Sequence, residues 1–429
     1  MFYHYHLLSA FVINVKYIAD KMIKIDLTFL KSEWRFLFFA LMMAMCSGPG
    51  QTFFISFFHK TVTTNLNISL STLSLVYMMA TLSSACLLIP TGRVMDRAPL
   101  NDFSKWVILG MVGACIFYPF VDNIFMLFIG FLLLRFFGQG LMSLTASTAV
   151  ARRYDKERGR ALAFVNIGFS LAEAAFPPFV VLTILYLGWQ NIWFFFAAFI
   201  FICMFLPLKF FLSRTKGQDG EGVSSQLPDE KPASNIGNND SDWKIYDLFK
   251  NRYFYLILPL TFIPSAIITA ILFMQEFIAD AKGWSLILWA SSFIFYSLAS
   301  IIGNIMSGLL IDKFSARYIA FFNLLPLTIG LLLLAFMSSP YAIFFVMMGM
   351  GLSGGTNGTV LSALWAEIYG RENLGQIKSF AMFLMVAGSA VGPILYSIGF
   401  DNFIPLSFIL SLSALFSMAG CLMAWFVRY

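Results

Sequence analysis

Apolar residues fill this chain in long blocks, unlike the alternation of strands or the single stripe of a soluble helix. Twelve blocks have roughly the 20 residues needed to cross a bilayer as a helix: 34–58, 72–91, 106–122, 124–148, 161–187, 191–212, 253–279, 286–311, 318–337, 341–366, 378–399 and 405–427. Several contain Gly or Pro, which membrane helices tolerate because neighbouring helices and waters satisfy the freed backbone groups. One long segment breaks the pattern. "SRTKGQDGEGVSSQLPDEKPASNIGNNDSDWK", residues 213 to 244, has the composition of a flexible linker. The pattern therefore predicts an all-α membrane protein with twelve transmembrane helices in two pseudo-symmetric six-helix bundles. Residues 1–33 form an N-terminal segment, 34–212 the first bundle, 213–252 the linker and 253–429 the second bundle.

The halves echo one another at an offset of 216 residues. "GRVMDR" at Gly92–Arg97 recurs as "GLLIDK" at Gly308–Lys313. The same shift carries Gly138 onto Gly354, Gly159 onto Gly375 and Pro177 onto Pro393. Four coincidences at one offset indicate a tandem duplication.

Composition agrees with a lipid solvent. The chain is 59% hydrophobic and 12% charged with 50 phenylalanines; a soluble protein carries roughly twice that charged fraction. Lys and Arg fall almost entirely on one side of the expected topology, and the opposite loops hold only Lys60 and Lys282. This bias places both termini in the cytoplasm and the chain in the inner membrane. It also accounts for the net charge of +6 without a nucleic-acid partner. Cys46, Cys86, Cys115, Cys203 and Cys421 lie within expected spans and read as small hydrophobes, with no disulfide or metal spacing. The histidines, His4, His6 and His59, avoid mid-span positions. No catalytic set, metal or cofactor is expected. The apolar run "LLSAFVINV" lacks the flanks of a cleaved signal. It reads either as an interfacial helix or as an extension upstream of a true start at Met22.

Twelve spans, a central linker and the G-x-x-x-D-R loop after the second span resemble the major facilitator superfamily of secondary transporters. "LLLRFFGQGLM", residues 132 to 142, is similar to the family's fourth-helix motif, an Arg followed by Gln-Gly. Arg135, Gln139 and Gly140 stand with one residue more between them than the commonest form. The loop also departs from type, since Ala98, Pro99 and Leu100 follow Arg97. The resemblance implies two bundles rocking around a central cavity, with Gly92, Asp96 and Arg97 helping to gate it. Parallel repeats place such a site at their interface.

Ionisable residues at membrane depth point to transport pathways. Arg135 lies about 22 Å from the cytoplasmic end of the fourth span and Glu173 about 20 Å along the fifth, at 1.5 Å per residue. Matching depth suggests a mutually neutralising pair in which Glu173 exchanges a proton; the alternative is a static packing pair. Asn166, Ser170 and Glu173 share one helical stripe, and Gln139 and Ser143 extend the Arg135 face. Ser47 and Gln51 on the first span, and Ser353, Thr356 and Asn357 on the tenth, are further cavity candidates, although small polar residues also serve close packing. Lys60 and Glu276, one repeat apart, are read as an outer gate or as two solvated charges. Asp96, Arg97 and Asp312 are candidate latches on the cytoplasmic side.

The reading is a monomeric, proton-coupled secondary transporter and not an enzyme, embedded in the lipid bilayer and binding a small-molecule substrate and protons. A lone cavity arginine suits a carboxylate, and the first span, "SGPGQTFFISFF", is loosely similar to organic-anion and monocarboxylate permeases, which favours an organic-acid symporter. A multidrug:proton antiporter is an alternative; the fifth span reads "LAEAAFPPFV" and lacks the Gly-rich motif typical of drug exporters. A non-transporting receptor on the same fold is a second alternative.

Overall fold

The computed structural model describes residues 27–154, 157–213, 251–369 and 374–428. Residues 1–26 and the 214–250 part of the linker lie outside them. Fourteen helices are labelled among the described residues. They are α1 (Leu27–Cys46), α2 (His59–Leu66), α3 (Leu70–Arg97), α4 (Leu100–Phe117), α5 (Ile124–Arg153), α6 (Arg158–Leu187) and α7 (Trp189–Leu212) in the first half. The second half contributes α8 (Arg252–Phe273), α9 (Gln275–Lys282), α10 (Leu286–Phe314), α11 (Ala316–Phe336), α12 (Ala342–Tyr369), α13 (Leu374–Asp401) and α14 (Leu406–Trp425).

The repeat seen in the sequence governs where helices start and stop. Adding 216 to the bounds of α2, 59 and 66, gives 275 and 282, the bounds of α9. The residues that end them, Asn67 and Gly283, are likewise 216 apart, and both adopt left-handed backbone, with φ of 50° and 64°. Asn and Gly are the residues that reach this region at least cost. The starts of α3, α4 and α6 map in the same way onto those of α10, α11 and α13.

Of the twelve expected spans, ten stand out among the described residues by length and apolarity. They are α3 to α8, α10, α11, α13 and α14, each long and apolar enough to cross a membrane. An eleventh is formed if the first span, bent by 46°, is counted as one. The expected tenth span is a continuous helix of 28 residues, α12. Its Gly-, Ser-, Thr- and Asn-rich centre, "GMGLSGGTNG", keeps it out of those ten.

Helices pack mainly within their own half. α1 lies against α5 and α6, and α4 against α7; in the second half α12 packs on α10 and α11, and α8 on α13. Between the halves, α6 meets α10 and α3 meets α13, while the bent part of the first span meets α8 and α9. Small residues allow these approaches. A methyl on Gly168 would reach 2.2 Å from the Leu41 carbonyl oxygen of α1. In the first half, Phe54 sits edge-on to Phe176, Trp193 and Phe196, with centroids 6.2, 5.2 and 4.7 Å away. Such aromatic pairs each add about 0.5–1.5 kcal/mol beyond their buried area, and here they hold the segment beyond the bend in place. Of the cysteines, Cys46, Cys115 and Cys421 are buried, but Cys86 is exposed.

Candidate functional site

The first span breaks at Pro49. Gly48–Gly50 forms a 3₁₀ turn, and Gln51 leaves it in extended backbone before the helix resumes at Thr52. A proline flanked by glycines cannot continue an α-helix smoothly, and the break leaves backbone carbonyls without helical partners. Arg135 meets them. Its Nη1 donates to the Gly50 carbonyl at 3.4 Å and to Thr52 Oγ1 at 3.3 Å. Thr52 Oγ1 also bonds the Tyr77 hydroxyl at 2.6 Å, and the guanidinium lies 5.1 Å from the Tyr77 ring centroid. Arg135 is 1% exposed and its Nε has no partner. The permanent charge thus ties a broken helix to two others.

The backbone around Arg135 is unusual too. From Leu134 to Met142 the fourth span winds as a π-helix, with i→i+5 hydrogen bonds that α-helices adopt chiefly at functional sites. The extra residue between Arg135 and the Gln-Gly pair is accommodated in this wider turn. The π segment fits against the break: a methyl on Gly50 would stand 2.3 Å from the Leu134 carbonyl oxygen, and one on Gly138 would stand 2.7 Å from Gly50 Cα.

On the other side of this junction lies a cavity of about 280 Å³. Its polar wall is Ser47 and Gln51 from the first span, Gln139 and Ser143 from α5, and Glu173 from α6. Phe53 and Phe169 supply aromatic surface. Gln51 Nε2 reaches Ser47 Oγ at 3.4 Å, and Ser47 donates to the Ala44 carbonyl at 2.6 Å. Glu173 and Gln139 have no hydrogen bond or ion pair with another described residue, and the Ser143 hydroxyl is unpartnered.

The structure therefore brings together five of the expected residues and separates others. Arg135 and Glu173 do not pair: the arginine lies with Thr52 and Tyr77 on the far side of the junction, and the carboxylate faces the cavity. Asn166 is exposed and Ser170 half-buried on α6, neither lining the cavity. The α12 candidates also stand elsewhere. Ser353 Oγ donates to the Asn323 carbonyl at 2.9 Å and accepts from the Leu327 N–H at 3.0 Å. Thr356 donates to Asn323 Oδ1 at 2.5 Å, and Asn323 Nδ2 donates to Asn357 Oδ1 at 2.7 Å. Asn323 sits in the turn that interrupts α11, so these side chains bond to the chain at that interruption.

The two halves meet at the end remote from the linker. The Lys60 N–H donates to Glu276 Oε2 at 2.9 Å, which places the carboxylate at the N-terminus of α2, where the helix dipole favours negative charge. The two expected gate residues thus meet through the Lys60 peptide N–H, while the Lys60 side chain pairs with Asp280. Around them, His59 Nδ1 meets the Phe273 carbonyl at 3.1 Å, and Gln275 Nε2 donates to the Phe53 carbonyl at 3.1 Å and to Ser56 Oγ at 2.7 Å. The Ser71 N–H donates to Asp401 Oδ2 at 2.8 Å, and Ser74 bonds Ser397. These hydrogen bonds between described residues of the two halves gather at this end.

At the linker end, described residues pair within their own half. Arg153 pairs with Glu33 at 2.8 Å, and Glu367 accepts from Ser315 and from the N–H of Ala316. Arg97 is exposed, and the side chains of Asp96 and Asp312 lie outside the described residues. Gly92, Gly159, Gly308 and Gly358 face open space, with nothing within 4 Å of where a side chain would begin.

Sequence reasoning missed Thr52, Tyr77, Asp280 and Asn323. Asp280 had a signal, since it stands four residues after Glu276 on the same helical face. Tyr77 had none.

Among curated proteins no relative matches this chain. Solved structures with the same fold include the nucleoside transporter NupG, at 12% identity and a TM-score of 0.66, with 92% of this chain and 100% of that chain covered. A bacterial homologue of the human lysosomal transporter Spinster, inward-facing and occupied, matches at 12% identity and a TM-score of 0.68, covering 91% of this chain and 96% of that one. Its inward-facing, unoccupied form gives 13% identity and a TM-score of 0.63, with 92% and 95% covered. At such identities the likeness shows the fold alone. The Major Facilitator Superfamily model matches residues 40–393 and 271–429, and the chain belongs to that superfamily of membrane transporters.

Proposed function

We propose that this protein is a proton-coupled secondary transporter that carries a small solute across the inner membrane by alternating access, with Glu173 as the proton-exchanging group. The observation that carries the reading is the placement of Glu173: a carboxylate at membrane depth, on a cavity wall, with no basic partner among the described residues. An isolated charge there is held at a cost, and a proton relieves it. Arg135 enters the reading as the group that fixes the bent first span beside that cavity. The organic-acid substrate draws less support from the geometry, because Arg135 lies behind the wall and the charge on the wall is negative. Both termini and the linker are assigned to the cytoplasm on the distribution of Lys and Arg, and the protein is read as a monomer.

The test is uptake by proteoliposomes of a panel of labelled organic acids, amines, nucleosides and sugars, with and without a pH gradient. A solute should accumulate only with the gradient. Glu173→Gln, fixed in the neutral form, should abolish that accumulation while exchange at equal concentrations on both sides continues. Normal gradient-driven uptake per folded Glu173→Gln molecule refutes the assignment of the proton to this residue.

A further inference from the structure

The cavity wall also restricts what can bind there. Its one charged side chain is the Glu173 carboxylate, while Arg135 does not line it and has its guanidinium turned to Gly50, Thr52 and Tyr77. The amide of Gln139 and the hydroxyl of Ser143 lie on the same wall without protein partners, and unpartnered polar groups at this depth are costly unless a ligand or water meets them. Phe53 and Phe169 add apolar and π surface, whose ring faces attract cations. The volume, about 280 Å³, lies at the small end of ligand pockets. An anion would meet the carboxylate without a compensating cation.

We infer that the cavity selects a small protonated amine with an apolar body: its ammonium group meets Glu173, its N–H groups reach the Gln139 carbonyl oxygen and Ser143, and its body lies against Phe53 and Phe169. The inference rests on the transport reading for the claim that the ligand crosses the membrane, but binding is measured apart from flux.

Three probes of matched shape isolate the charge: benzylammonium, benzyl alcohol and benzoate, titrated by calorimetry at one pH into the full chain purified in detergent. Benzylammonium should bind about tenfold more tightly than benzyl alcohol, the usual advantage of a charge-assisted hydrogen bond, and benzoate most weakly. Glu173→Gln should bring the amine down to the level of the alcohol, with its thermal unfolding reporting a folded variant. Should Glu173→Gln lose the alcohol as well, Glu173→Asp provides the comparison, and it must keep the preference for the amine. Tighter binding of benzoate, equal binding of all three, no measurable benzylammonium binding, or a preference that survives Glu173→Gln each overturns the inference. Amine-selective binding without gradient-driven flux keeps it and removes the proton-coupled reading; gradient-driven flux of a solute without amine selectivity does the opposite.

Discussion

Lys60 and Glu276 are equivalent positions of the two repeats, 276 − 60 = 216 residues apart, and they touch: the backbone N–H of one donates to the carboxylate of the other at 2.9 Å. Two like surfaces related by an approximate twofold axis meet where their equivalent residues approach it. The contact is chemically one-sided, because the second-half residue caps the first-half helix. Far-end closure thereby depends on a carboxylate and a peptide group more than on the Lys60 side chain.

This division of roles separates two charge swaps. Lys60→Glu combined with Asp280→Lys should recover closure lost in either single variant, whereas Lys60→Glu combined with Glu276→Lys should not. Both partners of the Lys60–Asp280 pair are more than half exposed, at 55% and 58%, and such pairs contribute about 0.2–1 kcal/mol. Glu276→Ala should cost more, about 0.5–2 kcal/mol for a lost N-terminal cap. The readout is the labelling rate of a single cysteine at Ser74, which is buried in this conformation and becomes accessible when the far end opens.

Arg135 and Glu173 should behave as independent sites. Arg135→Lys keeps the charge but loses the planar fork and leaves the Gly50 carbonyl or Thr52 poorly matched, at about 1–3 kcal/mol for a buried unsatisfied group. Thermal unfolding of the single and double variants with Glu173→Gln should be additive within about 0.5 kcal/mol. A larger coupling energy means that the two charges interact, as the sequence alone suggested.

The junction between the break and the π segment has no room for a side chain at either glycine. Gly50→Ala and Gly138→Ala should each destabilise the protein by roughly 1–3 kcal/mol, as overpacking of tight contacts does. Unfolding temperature and the yield of monodisperse protein check this, and wild-type values for both variants count against the packing described.

Asn357→Ala should lower stability and leave substrate handling intact. It removes the acceptor for Asn323 Nδ2 in a buried site, so the melting temperature should fall while the KM of uptake stays within about twofold, since uniform binding is unchanged. An increase in KM with unchanged stability returns Asn357 to the cavity.

How far the sequence discloses the site depends on local geometry. Gln139 and Ser143 are legible because i and i+4 share a helical face; Ser47 and Gln51 have the same spacing but reach the cavity across the break, where Gln51 is extended. Arg135 is misplaced by that rule: it lies in the π segment, where the wider turn takes it off the Gln139 face and toward Thr52. The one-residue excess in the motif is the trace of that turn. Glu173 is found because a carboxylate in an apolar block needs an explanation, yet its relation to Arg135 is not, since equal depth says nothing about direction around the helix axis. Asn323 escapes because it lies in the turn that interrupts α11, and an interruption inside an apolar block leaves little mark in a hydropathy pattern. Some helix boundaries fare better, because the duplication states both ends of α2 and the starts of α3, α4 and α6 twice.

The glycines at the linker end have a thermodynamic consequence. Gly92, Gly159, Gly308 and Gly358 border empty space, so a methyl added to any of them meets nothing in the conformation described. Its steric penalty is confined to whichever conformation brings those surfaces together. A substituent penalised in one state only moves the equilibrium between states by the full amount of that penalty. These positions are therefore handles on the resting population: alanine there should disfavour any conformation that brings their surfaces together, a bias built into the chain and requiring no ligand.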